Sequence, residues 1–478
     1  MTTVHRWRAF AVLAVAFFMT IVDLTIVNVA LPTIGNALHF SESNLQWVVT
    51  AYGLTFGGFL LLGGRAADLL GRRRILMLGL GVFTVASLGA ALASTSGFLI
   101  AMRGLQGLGA AIVVPAALSI VMNMFPEGTE RNKALGLWGA IGAVGGSVGL
   151  LAGGLLTRFA GWEYIFYLNV PVGAVALALA PRVVPESRLE GVRRRFDALG
   201  GLTVTAGLVV LVYALSKAPE VGWSATSTVA LLAAAAALVI AFLVIEARAE
   251  APLMPLRIFR SRALAGANVA GLLMGGSFFA FIFVGTLYMQ QVLGYSALQT
   301  GAAWLVASLT SVALAGLSQT LVTRIGAGPV LIMGMGMIGG GVLWTAQAPV
   351  HASFWLDLAA PFVVVGAGTA FGFIPISIAG LQGVAEREAG LASGLLNTTQ
   401  QLGGAIGVAI SSTVAATRVK TLTADGKSAN VALTGGFHWA FWVCGLVALV
   451  AVPTTAVLVR RPARTDQAPA VVPALEPA

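Results

Sequence analysis

Gly64-Arg65-Ala66-Ala67-Asp68-Leu69-Leu70-Gly71-Arg72-Arg73-Arg74 joins two apolar runs of about twenty residues each. Four arginines crowd these eleven residues, while the runs on either side hold almost none. Arginine favours the cytoplasmic side of a short membrane loop. The stretch therefore predicts a cytoplasmic turn between two membrane-spanning helices and fixes the side from which the rest is counted. Asp68 stands apart from the arginines as a candidate gating residue.

Composition agrees with that reading. The 478 residues are 58% hydrophobic and only 10% charged, with a mean hydropathy of +0.91, which excludes a string of soluble domains. A net charge of +10 would suit a nucleic-acid partner, but the basic residues lie in short loops between apolar runs. The anionic inner leaflet is the better counter-charge, and no nucleic acid is expected. Cys444 is the only cysteine, so no disulfide and no cysteine-based metal site forms within the chain. His5, His39, His351 and His438 fall in loops or at span ends, and no metal site is expected.

Working outward, apolar runs long enough to span a membrane recur fourteen times, near 9–31, 45–66, 75–95, 98–123, 132–156, 164–182, 198–217, 226–246, 263–289, 298–321, 328–347, 354–381, 389–415 and 437–459. Period-two alternation is absent, and backbone groups in lipid must be satisfied within each segment, so all are read as helices. The first follows Arg6 and Arg8 but is too long for a signal peptide and is read as retained. With a cytoplasmic N-terminus, 22 of the 28 Lys and Arg fall in cytoplasmic loops, five fall outside and Arg103 lies within a span. Both termini are therefore expected in the cytoplasm. Trp162, Trp223, Trp355 and Trp439 then mark an outer aromatic belt.

A faint repeat organises the spans. Leu70-Gly71 and Ile75-Leu76-Met77-Leu78-Gly79 are echoed 255 residues later by Ile325-Gly326 and Val330-Leu331-Ile332-Met333-Gly334. Glu130-Arg131 is echoed by Glu386-Arg387. The ninth helix thus corresponds to the first, giving six helices, two inserted helices and six more. Expected units are a bundle over 1–182, the inserted pair with its loops over 183–262, a second bundle over 263–460, and a disordered cytoplasmic tail over 461–478.

Polar groups at membrane depth are costly and mark candidate sites. Asp23 lies midway along the first span in Asp23-Leu24-Thr25-Ile26-Val27-Asn28. Burial in low dielectric favours the neutral carboxyl, as a proton carrier requires; a structural carboxylate bonded to a neighbouring helix is the competing reading. Arg103, Gln106 and Gly107 share one face of the fourth span, where Arg103 either answers a carboxylate or snorkels to the nearby outer end. In the fifth span Gly145, Gly149 and Gly153 recur every fourth residue, with Gly142, Gly146 and Gly154 beside them, a surface for close helix approach, with Gly145, Gly149, Gly153 and Gly154 as candidate gating residues in the motion between states. Asn397, Gln400 and Gln401 lie on one side of the thirteenth span, as cavity-lining groups or interhelical hydrogen-bond partners. Gly334-Met335-Gly336-Met337-Ile338-Gly339 matches a dinucleotide fingerprint but has no strand before it and is discounted. Asp357 and Glu246, near span ends, are expected to be hydrated.

Taken together, these residues resemble the fourteen-helix drug:proton antiporters of the major facilitator superfamily. Gly64, Asp68, Gly71 and Arg72–Arg74 resemble the superfamily's loop motif, Asp23–Pro32 its first-helix motif, and Arg103, Gln106 and Gly107 its fourth-helix motif. Gly136 through Gly145, Gly149, Leu150, Gly153 and Gly154 resembles the antiporter motif, and Asn169-Val170-Pro171 after Trp162 also fits. The chain departs from the pattern at Leu69, where a basic residue is usual, and at Leu150, where the motif has proline. Glu163 and Gln400 replace common arginines. The missing proline removes a kink tied to antiport.

The resemblance implies substrate export driven by inward proton flow. Asp23 and Arg103 would be the coupling pair. Gly64, Asp68, Gly71, Arg72, Arg73 and Arg74 would gate the cytoplasmic side against the start of the thirteenth helix near Ala389. The expected function is a proton-coupled exporter of amphiphilic small molecules in a bacterial plasma membrane, working as a monomer with protons as coupling ion and no cofactor. Thr25, Asn28, Gln106, Asn397, Gln400 and Gln401 are the expected cavity wall. A symporter importing a small metabolite is the alternative, but it predicts a denser polar site than this sequence offers. A membrane sensor would carry a signalling domain, and an enzyme would need a nucleophile or metal cluster; neither pattern is present.

Overall fold

Gly71 and Gly326 each separate two helices by a single residue, with φ of 110° and 90°. Only a residue without Cβ takes that conformation freely, so each lets the chain turn between packed helices. The helices around them end at Leu70 and Ile325 and restart at Arg72 and Ala327, both 255 residues apart, as the sequence echo predicts. The Glu386-Arg387 echo and the tail lie outside the residues described. The computed structural model describes residues 3–40, 47–126, 128–187, 197–249, 256–382 and 389–458, with isolated positions 252, 254 and 384.

Among the described residues there is no strand. The first bundle comprises α1 (Thr3–Ala37), α2 (Trp47–Leu70), α3 (Arg72–Ala91), α4 (Ser96–Met124), α5 (Thr129–Phe159) and α6 (Tyr164–Val183, interrupted at Leu168). The inserted pair is α7 (Ala198–Val221) and α8 (Thr226–Arg248). The second bundle comprises α9 (Arg262–Gln291), α10 (Ala297–Ile325), α11 (Ala327–Thr345), α12 (Phe354–Leu381, opening on a π turn), α13 (Ala389–Ala424) and α14 (Ala429–Leu458). Thirteen of these are long and apolar enough to cross a membrane, and α7 carries a shorter apolar stretch, Leu199–Leu215.

Helix starts carry side-chain caps that satisfy otherwise orphaned amides, at Thr95, Asp197, Ser261 and, as a full capping box, Ser296 with Gln299. Several helices overrun their apolar runs: α1 begins at Thr3 and α13 continues to Ala424, because a polar turn outside lipid still closes its backbone bonds.

The bundles meet along two seams. In one, α5 lies against α10, where Gly301 approaches the Leu150 carbonyl and Gly136 the Gln319 side chain. In the other, α2 lies against α13, where Gly394 faces Leu60 and Leu61. The inserted α7 covers this second seam, touching both α2 and α13, and α8 packs on α7. Trp47 of α2 packs against the Tyr213 ring of α7 at a tilt, and Trp223 donates to Thr413 of α13 at 2.8 Å.

Two expectations about span ends need correction. Trp162 is only 5% exposed and packs in an apolar cluster with Ile165 and Phe166, so it is a core residue rather than part of an aromatic belt. Glu246 is buried rather than hydrated, because the chain after α8 folds back and the Met254 amide donates to its carboxylate.

Candidate functional site

Asp23 is carried to the middle of the first bundle by α1 and meets three donors from two other helices. Arg103 Nη1 donates to Oδ2 at 2.5 Å, Gln106 Nε2 to Oδ1 at 3.0 Å, and Asn169 Nδ2 to Oδ1 at 2.7 Å. None of Asp23, Arg103 and Gln106 has exposed surface, and Asn169 is 2% exposed. The sequence spacing that puts Arg103 and Gln106 on one face of α4 therefore aims both at the same carboxylate.

The shell around this cluster fixes the arginine. Arg103 Nε donates to the Val48 carbonyl at the start of α2, and its guanidinium lies 4.5 Å from the Tyr52 ring centroid and 5.8 Å from that of Phe166. Gln106 donates a second bond to Ser87 of α3, and Tyr52 donates to the Thr20 carbonyl. Arg103 Nη2 has no hydrogen-bond partner among the described residues. Arg103 therefore does not snorkel. A buried charge pair costs desolvation of both ions, and losing either partner leaves the other uncompensated.

Asp68 lies near the C-terminal end of α2 and is also fully buried. It accepts from Arg72 Nε at 3.0 Å and Nη2 at 2.8 Å across the Gly71 turn, and from Ser119 of α4 at 3.3 Å, all through Oδ1. Its Oδ2 is buried without a partner among the described residues. The side chain of Ala389, against which it is expected to close, lies outside the described residues. Gly64 is buried in α2 beside it. Arg73 and Arg74 do not join Asp68; both reach Glu186 beyond α6, at 3.7 and 3.8 Å.

The glycine ladder of α5 faces α1. A Cβ at Gly145 would meet Ile21, one at Gly149 the Thr25 hydroxyl and the Val22 carbonyl, and one at Gly153 the Ile26 carbonyl. Gly154 is buried beside them. The second bundle repeats this contact, with Gly403 and Gly407 of α13 against Leu272 and Gly276 of α9.

The expected cavity residues do not form one wall. Thr25 is spent on Gly149 and on its own helix carbonyls, and Gln106 belongs to the Asp23 cluster. Asn28 is half-buried, with its amide on the Leu24 and Thr25 carbonyls. Asn397 bonds back to the Ser393 carbonyl, Gln400 lies against Gly271 and Gly275 of α9, and Gln401 against Gly57 of α2. A helical turn rotates neighbouring positions by about 100°, so Gln400 and Gln401 face different helices.

Sequence reasoning missed the contributions of Asn169, Ser87, Tyr52, Ser119 and Glu186. Asn169 was visible only as part of a motif after Trp162; the others carry no local signal, since their partners are distant in sequence.

The arrangement can hold one carboxylate and one permanent cation together away from water, and another carboxylate at a helix turn. The chain matches the family described as Major Facilitator Superfamily over residues 13–408. It is 37% identical over 462 residues to the puromycin resistance protein pur8 of Streptomyces alboniger, covering 95% of this chain and 90% of that one. It is 38% identical to the cephamycin export protein CmcT of Amycolatopsis lactamdurans, covering 87% and 85%. Its fold matches the crystal structure of the human organic anion transporter MFSD10 (TETRAN), with a TM-score of 0.67 at 15% identity, over 95% of this chain and all of that one.

Proposed function

The chain belongs to the Major Facilitator Superfamily, and from that premise we propose that it exports amphiphilic small molecules, antibiotics or other secondary metabolites, across a bacterial plasma membrane in exchange for protons. The relatives named for puromycin resistance and cephamycin export support the direction and the substrate class. The observation that carries proton coupling is the Asp23–Arg103 pair, which has no exposed surface.

Protonating Asp23 removes the charge that Arg103 is paired with, and the guanidinium is freed to follow the Val48 carbonyl and the Tyr52 ring. Asn169 and Gln106 hold the carboxyl in place through the change, and because they come from α6 and α4, the packing of three helices becomes sensitive to one proton. One charge moving through 100 mV supplies about 2.3 kcal/mol, enough to drive export without a nucleotide. With the N-terminus cytoplasmic, Asp68 and Arg72 close the cytoplasmic end and release it as the bundles rock; the bare Oδ2 of Asp68 supports this role.

The reading is tested in a host stripped of its own efflux pumps. Expression of the chain is expected to lower accumulation of puromycin-like or similar amphiphilic antibiotics and to raise resistance, while Asp23→Asn abolishes both at equal membrane abundance. Full resistance in Asp23→Asn would remove Asp23 from the mechanism.

A further inference from the structure

At the end of the bundle opposite Thr3, a cavity of about 520 Å³ opens between α11, α13 and α14. Its walls include Gln347, Arg418, His438, Trp439, Trp442 and Leu446. Arg418 is half-buried, its Nε is buried without a hydrogen-bond partner, and among the described residues no carboxylate pairs with it. Its guanidinium lies 5.9 Å from the Trp439 ring centroid, which holds it at the cavity mouth. His438 donates from Nε2 to the Ala348 carbonyl at 2.8 Å, since a carbonyl can only accept, and so ties the chain after α11 to α14.

Two further observations say what this cation faces. First, Trp439, Trp442, Leu446 and Val450 are 54%, 42%, 49% and 53% exposed and follow one face of α14 at i, i+3, i+7 and i+11. That stripe runs away from Arg418 along the helix for roughly 16 Å, about half a bilayer's hydrocarbon thickness. Second, Lys420 and Lys427 accompany Arg418 at this end, so three of the five cations that violate the inward bias of positive charge gather here, the other two being Arg158 and Lys217. A soluble anion needs the cation but not the stripe, and a neutral lipid needs the stripe but not the cations.

We propose that this cavity binds one anionic phospholipid, with its phosphate on the Arg418 guanidinium and an acyl chain laid along Trp442, Leu446 and Val450. Trp439 serves as the platform that presents the planar fork of Arg418 to the phosphate. The site rests on insertion of the fold in a membrane and not on the export reading, so loss of transport with lipid binding intact, or the reverse, separates the two.

The test uses the full chain purified in detergent and titrated with phosphatidylglycerol, with bound lipids counted by native mass spectrometry. The wild type is expected to retain a first phosphatidylglycerol more tightly than phosphatidylcholine. Arg418→Gln is expected to weaken that first binding about five-fold, the worth of one interfacial cation. Lys420→Gln, an exposed cation two residues away that adds only to the local potential, is expected to weaken it less than about two-fold, and Arg418→Lys, which keeps the charge and spares the fold, to fall between. Equal retention by wild type and Arg418→Gln would overturn the site. So would an equal loss in Lys420→Gln, which would mean diffuse surface charge, or displacement of the lipid by inorganic phosphate at the same concentration, which would mean a soluble-anion site.

Discussion

Asp23 and Arg103 are each other's only charged partner among the described residues, so removing either leaves the other uncompensated. Asp23→Asn leaves a buried guanidinium without a counter-ion and is expected to destabilise the protein by about 3 kcal/mol. Asn169→Ala removes one bond to a charged acceptor and should cost about 2 kcal/mol. Thermal unfolding of both variants in detergent checks the order; a smaller loss for Asp23→Asn than for Asn169→Ala would mean that the pair is not the centre of the network. Glu186→Gln, by contrast, breaks contacts with Arg73 and Arg74 that are partly or largely exposed, and is expected to change stability by less than about 1 kcal/mol. The residues legible in the sequence were the charges stranded in apolar runs, Asp23 and Arg103, and Asp68, the one acid in the arginine-rich loop. Asn169 and Ser87 were not legible as partners, because a single polar residue at the start of a span or inside one is also what a helix end or a back-bonded hydroxyl looks like. Gln106 was legible as polar and misplaced as to partner: spacing gives the face of α4, and only packing gives what that face meets.

At the level of elements, the α5 glycines were legible in kind, since a four-residue ladder implies close approach whatever helix it meets. That it meets α1, and that Thr25 is consumed there, follows from packing alone. Gly149→Ala would drive its Cβ into the Thr25 hydroxyl and the Val22 backbone and is expected to cost about 1–3 kcal/mol, with α1 displaced. Gly316→Ala in α10, where nothing lies within 4 Å, is expected to be neutral or slightly stabilising. Comparing the two melting temperatures checks the claim, and equal losses would contradict it. The inserted helices also gain a role that their composition did not show. The end of α6 and the segment after it dock on the arginine turn through Arg72 N–H to the Ser187 carbonyl, the Arg73 guanidinium to the Pro181 and Val184 carbonyls, and the Arg73 N–H to the Glu186 carboxylate. Arg65 reaches the Pro252 carbonyl after α8. Both ends of the inserted pair thus touch the loop that organises the first bundle, while α7 covers the α2 and α13 seam.

At the scale of the molecule, six helices, two inserted and six more were legible from the 255-residue offset, because the same glycine turn recurs in both halves. The neighbours of the polar residues expected to line a cavity were not, since Thr25, Gln106, Gln400 and Gln401 meet α5, α1, α9 and α2 in turn and no one segment carries that pattern. Alternating access requires the two seams to part in turn. Cysteines placed at Leu61 and Gly394, in a Cys444→Ser background, are expected to cross-link under oxidation and stop transport, with recovery on reduction; transport unaffected by the cross-link would mean that the α2 and α13 seam does not open. The central claim is exchange of an amphiphilic substrate for protons through the Asp23 cluster. Its most direct measurement is a pH gradient established in inside-out vesicles containing the protein and followed as an amphiphilic antibiotic is added. The account predicts that the antibiotic is taken up and the gradient partly dissipates with the wild type, and that neither occurs with Asp23→Asn. A wild type that does neither, or an Asp23→Asn variant that still dissipates the gradient, would contradict it.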